Sequence, residues 1–551
     1  MYGFTIIPAG FFDEYEFFAN VPENAAQIDI QKTRIFPQET PASILNRIID
    51  VIDLLEEDNP RLLRDLQDTL DLSKTLLTRG VYRRTAPIIE RPTLDLPSHT
   101  PFPLPSHTCT FQIRQFYNHT ENVIYADDST QLDSILRVND PQLLQTLDNI
   151  DDALIDIREN LRERGQLAPV LANALGQIER IDIPRVLPIF SDLQLQRRQT
   201  GGIFEYNATG ENWAFSCQLP LQYAEFNSFA SEEVAQRIRN TRIVQLFSAG
   251  EGETDLAAFF QDHLVSDKFG IGDFRLTLLR KAHHSPTAIC WGGLEITLPT
   301  GGAISEGLAG SEFPTFPLQP TDEVRRSLAE FGITSEFADA FTQDVGLTIL
   351  DRLTRIFADR PLGQEHFGIA PIAYWHVNAQ SCDIFGKVRI EYLTPRNLTR
   401  FFIRNITLDE IDRRNFTNEK QAEENATFIL NAVLDTILPP AQKVTVKPGL
   451  SPHAMIGISQ DHGTWNWNGG FDFWLKQGER ISVPHSDPER VLNIRAAEQP
   501  TAWQCKLFFN ANTYVYSKRY VWKLGLTFDG TYAARNIGKD STIGLHFGTV
   551  W

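Results

Sequence analysis

The chain has no uninterrupted apolar run near the about 18 residues that a membrane-crossing helix requires. That excludes a transmembrane helix but not a β-barrel, whose strands give a far weaker hydropathy signal. Cysteine is scarce: there are 5 in 551 residues, none in a CxxC pair. An odd, scattered set excludes a disulfide framework and a zinc site. No phosphate loop, HExxH, GxSxG or calcium loop occurs, so no catalytic residue, metal or cofactor is expected, and the chain is not expected to be an enzyme. Positive charge is in deficit, with 51 Lys and Arg against 70 Asp and Glu and a net charge of −19. Nucleic acid is therefore not an expected partner. The first residues, MYGFTIIPAGFFDEYEFF, lack a basic stretch and reach Asp13 early, which is unlike a secretory signal.

What the chain has is alternation. In TWNWNGGFDFWLKQ, Trp465, Trp467, Phe471, Phe473 and Leu475 share one phase, and Asn466, Asn468, Asp472 and Lys476 the other, with Trp474 as the exception. A period of two means a strand with one oily and one wet face. The same pattern runs through WAFSCQLPLQY from Trp213, DIFGKVRIEY from Asp383, YVWKLGLTFDGTY from Tyr520 and STIGLHFGTVW at the end. Soluble strands last about 5–6 residues, whereas these persist for about ten or more. Trp213 and Tyr223 lie on one face, as do Trp522 and Tyr532. Ten residues at a barrel tilt cover about 25 Å along a membrane normal, the spacing of two aromatic girdles.

Twelve such segments are expected, near 110–118, 195–207, 211–225, 268–283, 287–299, 366–378, 382–394, 444–459, 464–478, 502–516, 519–534 and 540–551. The first is only moderately patterned and the second poorly. Gaps alternate between long and short, except that 535–539 is short where a long one is due. A soluble sandwich has no reason to gather its long connections at one end, whereas a membrane barrel has tight periplasmic turns and long external loops. The expected fold is an all-β transmembrane barrel of about 12 antiparallel strands (roughly 10–16 in range), with helical insertions in the external loops. Residues 1–108 are expected to form a helical periplasmic extension or plug. They hold two amphipathic helices within 41–79 and a Pro-rich linker with LPSHT repeated at Leu96 and Leu104. Residues 109–551 then form the barrel.

Residues 110–551 resemble a Gram-negative outer-membrane barrel of the porin type, most specifically in a final strand that alternates to a terminal aromatic residue. The resemblance implies that Ile543, Leu545, Phe547 and Trp551 form the signal read by the barrel-assembly machinery, with Thr549 a departure. It implies an outer-membrane location, contact with lipid and lipopolysaccharide, and a possible homotrimer. FGIGDFRL from Phe269 with GGLEITLPTGG from Gly292 resembles a hairpin of long-chain fatty-acid channel relatives.

The wet phases supply the candidate pore lining: Arg275, Glu295, Lys387, Arg389, Glu391, Asp472, Lys476, Lys523, Asp529 and Arg535. The oily phases supply a lipid-facing aromatic girdle of Trp213, Tyr223, Trp465, Trp467, Trp522 and Tyr532. A barrel of about 8 strands is filled by side chains and one of 16–18 is open. Twelve strands with charges of both signs leave two interiors open, a watery one or a salt-bridged one that is nearly closed. Loop 300–365 is the candidate to fold inward. A small basic excess on the wet phase, including Lys506 against Asp273, implies weak anion selectivity centred on Lys387 and Arg389. These features point to passive diffusion of small polar solutes. A transporter for hydrophobic substrates with an N-terminal plug, or a barrel that anchors a surface protein, remains the alternative. Three side features carry bland readings. His283, His284 and Ser285 fall at a turn; the acid-rich run from Glu121 to Asn160 reads as a solvated helix face; and Asn-x-Thr sequons occur at Asn118, Asn207, Asn397, Asn405, Asn415 and Asn425.

Overall fold

The structure is a computed structural model that describes residues 84–95, 107–121, 194–240, 265–301, 362–403, 441–483 and 492–551, apart from a few positions within them, and shorter stretches between. The expected helices of 41–79, the acidic residues of the Glu121–Asn160 run beyond Glu121 itself, and three of the sequons (Asn405, Asn415, Asn425) lie outside the described residues.

Twelve strands cross the barrel: β1 (Thr108–Glu121), β2 (Gln194–Thr209), β3 (Trp213–Phe229), β4 (Val265–Ile271 continued by Phe274–His284), β5 (Ala288–Leu298), β6 (Gly368–Asn378), β7 (Asp383–Leu393), β8 (Ser451–Asp461), β9 (Trp465–Lys476), β10 (Ala502–Tyr516), β11 (Val521–Arg535) and β12 (Lys539–Val550). Every neighbouring pair is antiparallel, and β12 pairs with β1, Thr110 opposite Val550, so the sheet closes and leaves no edge. The two pieces of β4 both pair with β3, on either side of Pro220. Pro220 has no N–H to give the ladder. The chain bulges opposite it at Gly272–Asp273, and Gly272 N–H donates to Pro220 O at 2.9 Å.

Exposure shows which face of the strands points inward. Phe111, Leu278, Leu294, Ile390, Ile456, Phe471, Phe509, Leu526 and Leu545 all face out and are exposed, while Arg114, Arg389, Asp472 and Lys506 are buried inside. Leaving one large apolar side chain in water forgoes about 1.5–3 kcal/mol. A whole belt of them around a closed barrel is satisfied only by lipid. No helix among the described residues is long and apolar enough to cross a membrane. Trp474, the exception in the β9 pattern, obeys the geometry: it lies in the wet phase and is buried in the lumen.

All long connections leave one end of the barrel and the tight turns the other; the β11–β12 turn is tight at the long-loop end and uses Asn536 with φ of 57°. The expected strand at 444–459 is two strands. Ala441–Lys447 belongs to a small sheet with Arg396–Phe401 and Arg480–Ser482, and β8 begins only at Ser451. Pro448 and Gly449 separate them, a proline that cannot donate followed by a glycine. This loop sheet has its own apolar core of Phe402, Val444, Val446, Ile481 and Leu492.

Candidate functional site: a lumen shut by residues 84–95

The chain preceding β1 contributes one segment to the inside of the barrel. Pro87 and Pro92 keep it extended, and it ends in a 3-10 turn, Thr93–Asp95, closed by Asp95 N–H donating to Pro92 O at 2.9 Å. Its start is fastened at the long-loop end: Thr85 and Ala86 N–H donate to Ala496 O, and Thr85 Oγ1 donates to Phe401 O. Its far end reaches the middle of the lumen. There Leu94 packs into a socket of Phe116 and Ile203, and Thr93 Oγ1 donates to Gln222 Oε1 at 2.5 Å.

The segment carries three charged side chains near its end, and the wall answers each. Glu90 accepts Arg197 at 2.7 Å, and Arg91 meets Asp472 at 2.6 Å. Asp95 meets both Arg275 (2.8 Å) and Arg389, the latter through both guanidinium nitrogens at 3.0 and 2.8 Å. A two-pronged Arg–carboxylate contact is among the strongest neutralising geometries available. Arg389 also donates to Glu295 at 2.9 Å and lies 3.5 Å from Glu391, while Thr297 Oγ1 donates to Glu391 at 2.7 Å. His453 Nε2 lies 2.9 Å from Asp472 Oδ2. Elsewhere in the lumen Arg114 pairs with Glu205, and Lys506 with Asp529 and Asp540.

This junction divides the interior. A cavity of about 480 Å³ lies on the long-loop side and is bordered by Arg275. A second of about 150 Å³ lies on the short-turn side and is bordered by Glu295, Lys387, Lys523, Glu205 and Tyr374. Arg275 Nε and Glu295 Oε1 are 3.2 Å apart, so the partition there is one ion pair thick. Of the two interiors that the charges left open, the lumen is the salt-bridged one. The end of loop 300–365 also turns inward: Gln222 Nε2 donates to Leu362 O at 2.6 Å, and Gln364 N–H donates to Asp273 at 2.5 Å. A Cβ on Gly363 would overlap the Asp273 carboxylate, so this approach needs glycine.

The expected pore residues separate into groups. Arg275, Glu295, Arg389 and Glu391 meet at Asp95; Asp472 holds Arg91; and Asp529 holds Lys506. Lys387 and Lys523 line the smaller cavity, with Lys387 Nζ 5.6 Å from the Tyr374 ring, and Lys476 borders the larger one. Arg535 is the correction. Cys505 pairs with Ala533 and Lys506 with Thr531, so Tyr532 is an extra residue in β11. One bulged residue inverts the phase beyond it, and Arg535 comes to lie exposed, opposite Trp503. Of the sequons, Asn118 and Asn207 are buried, Asn118 donating to Asp540 and Asn207 to Glu205, so neither is open to a glycan. The girdle residues Trp213, Trp465, Trp522 and Tyr532 are exposed, and Tyr223 and Trp467 are half-buried. Ile543, Leu545, Phe547 and Trp551 are exposed on the last strand. His283 and His284 end β4, and Ser285 Oγ is used by the Ala288 backbone in the turn. All five cysteines are unpaired, and no cluster among the described residues is arranged to hold a metal.

Sequence reasoning missed Glu90, Arg91, Asp95, Arg114, Glu205, Arg197 and His453. For the first three the available signal lay elsewhere, in Phe116 and Ile203. Those two apolar residues on a wet phase mark where something packs inside the barrel.

This is a closed transmembrane β-barrel. No protein-family model matches the chain, and no curated protein matches it in sequence. In three dimensions it is similar to an outer-membrane channel from Pseudomonas putida F1, at 10% identity over 82% of this chain and 97% of that one, with a TM-score of 0.36. It is also similar to the toluene transporter TbuX of Ralstonia pickettii (7% identity, 81% and 90% covered, TM-score 0.30). A third is the translocator domain of the autotransporter NalP from Neisseria meningitidis (7%, 82% and 90%, TM-score 0.29).

Proposed function

We propose that the protein is an outer-membrane channel for small polar solutes, held closed by residues 84–95, which must shift for solute to pass. The observation that supports this reading is the pair of polar chambers on either side of the Asp95 junction, whose central carboxylate belongs, among the described residues, to a segment outside the barrel wall. Strand hydrogen bonds need not break for that segment to move. A hydrophobic substrate has little to gain from a lumen lined by Arg275, Arg389, Glu295 and Asp472. No catalytic step is part of the proposal. A second reading, a barrel that only anchors its external loops, draws on the continuity of buried pairs across the lumen. Liposome swelling with uncharged sugars separates the two. A channel gives faster swelling when Asp95 is replaced by Asn than in the wild type. An anchor gives none in either, although both are folded and heat-modifiable on gels.

A further inference from the structure

The larger chamber opens among the long loops and has the Asp95 junction as its floor. Among the described residues, seven basic side chains border it against four acidic ones. Most of the basic groups are answered: Arg91 by Asp472, Arg197 by Glu90, Arg275 by Asp95, and Arg355 by Asp351. Lys476 differs. Its ammonium donates to the neutral Gln499 Oε1 at 2.8 Å and has no carboxylate partner among the described residues. Next to it Arg400 holds Glu479 only loosely, at 3.4 Å, and its Nε is buried without a hydrogen-bond partner. Glu479 is itself occupied by Gln499 N–H at 3.1 Å. An ammonium has three N–H donors, so Lys476 has two to offer beyond Gln499.

The neighbouring imidazole reports the local field. His366 Nδ1 lies 2.8 Å from Thr394 O, an arrangement in which the ring N–H donates to the carbonyl. Burial, together with the positive charges of Lys476 and Arg400, pushes His366 down to about 4, so it is neutral at neutral pH. Between them Lys476 and Arg400 have one carboxylate within ion-pair distance among the described residues, Glu479. A cavity of about 480 Å³ is the size of a small organic ligand's site.

We propose that this chamber binds a small anion bearing carboxylate or phosphate oxygens, held by Lys476 and Arg400. The inference deepens the channel reading and rests on it for the ligand's passage, but binding itself needs only the folded barrel. Arg400 supplies a guanidinium whose own contacts, to Thr399 O at 3.3 Å and Glu479 at 3.4 Å, are long, and Lys476 a compact point charge, a pairing suited to an oxyanion with more than one oxygen.

The test is calorimetric titration of the full chain, folded in detergent at low salt, with citrate, with inorganic phosphate, and with glucose as an uncharged control. Saturable binding of citrate, phosphate or both is expected, with none of glucose. Preference between the two anions assigns the carboxylate or the phosphate class. Lys476→Gln should weaken binding at least tenfold, and Lys476→Arg, which keeps the charge, should restore most of it. Heat-modifiable migration certifies the fold of each variant. Absence of saturable anion binding by the folded wild type, or equal affinity in Lys476→Gln, overturns the proposal. Anion binding by the wild type with no membrane current even in Asp95→Asn upholds the site and removes the channel reading, whereas current in that variant without saturable binding does the reverse.

Discussion

Replacing Asp95 with Asn removes one negative charge from the centre of the lumen and leaves its shape nearly unchanged. In the wild type this carboxylate accepts from Arg275 at 2.8 Å and from Arg389 at 3.0 and 2.8 Å, all in full burial. Truncating one partner of a buried ion pair costs about 3–5 kcal/mol. The lower end applies here, because Arg275 and Arg389 keep Glu295, and Arg389 also keeps Glu391. A loss of about 3 kcal/mol corresponds to roughly a 100-fold shift in the ratio of seated to displaced segment. The other anchors, Arg91 with Asp472, Glu90 with Arg197, and Leu94 in its socket, are untouched, so the segment should still be seated for part of the time. Single-channel recording in planar bilayers reads this ratio as open probability. The expected result is rare openings in the wild type and an open probability higher by about two decades in Asp95→Asn, up to saturation. Equal open probability in two folded proteins would refute the idea that this carboxylate latches the lumen.

Leu94→Ala empties the socket between Phe116 and Ile203, which costs about 2–5 kcal/mol for a buried leucine, and should raise open probability without touching any charge; no change in the recordings would mean the socket does not help to seat the segment. Lys387 and Lys523 line the smaller chamber, so replacing both with Gln in the Asp95→Asn background should reduce the preference for anions in a salt gradient. An unmoved reversal potential would place the ion path elsewhere. Trp551 exchanges two backbone hydrogen bonds with Cys109, at 2.8 and 3.0 Å, across the joint where the last strand meets the first. Deleting Trp551 should lower the amount of assembled protein in the outer membrane, and normal levels would count against its role in assembly.

The wall was legible because one rule, alternation over ten or more residues, holds wherever one face meets lipid and the other meets polar groups. It weakened where the lumen side is not polar. Phe116 and Ile203 spoil the pattern of β1 and β2 because they receive Leu94, and Trp474 spoils that of β9 because it too is packed inside. Arg535 was assigned inward because a single extra residue, Tyr532, reverses the phase and leaves no mark in residue type. The segment seated in the lumen was not legible. It is extended, has no period, and its decisive contact joins Asp95 to Arg389, 294 positions away. The expected pore charges were therefore mostly placed inside, but their meaning changed. Arg389 is not a free charge facing a solute, since it is neutralised by Asp95, Glu295 and Glu391.

If residues 84–95 close an otherwise passable barrel, excising them should open it. A chain in which residues 84–95 are replaced by a Gly/Ser linker of equal length should fold to a heat-modifiable barrel and give a steady open conductance in planar bilayers, where the full chain is mostly closed. A folded, linker-bearing barrel that passes no current, or a full chain that conducts just as well, would show that this segment is not what closes the lumen.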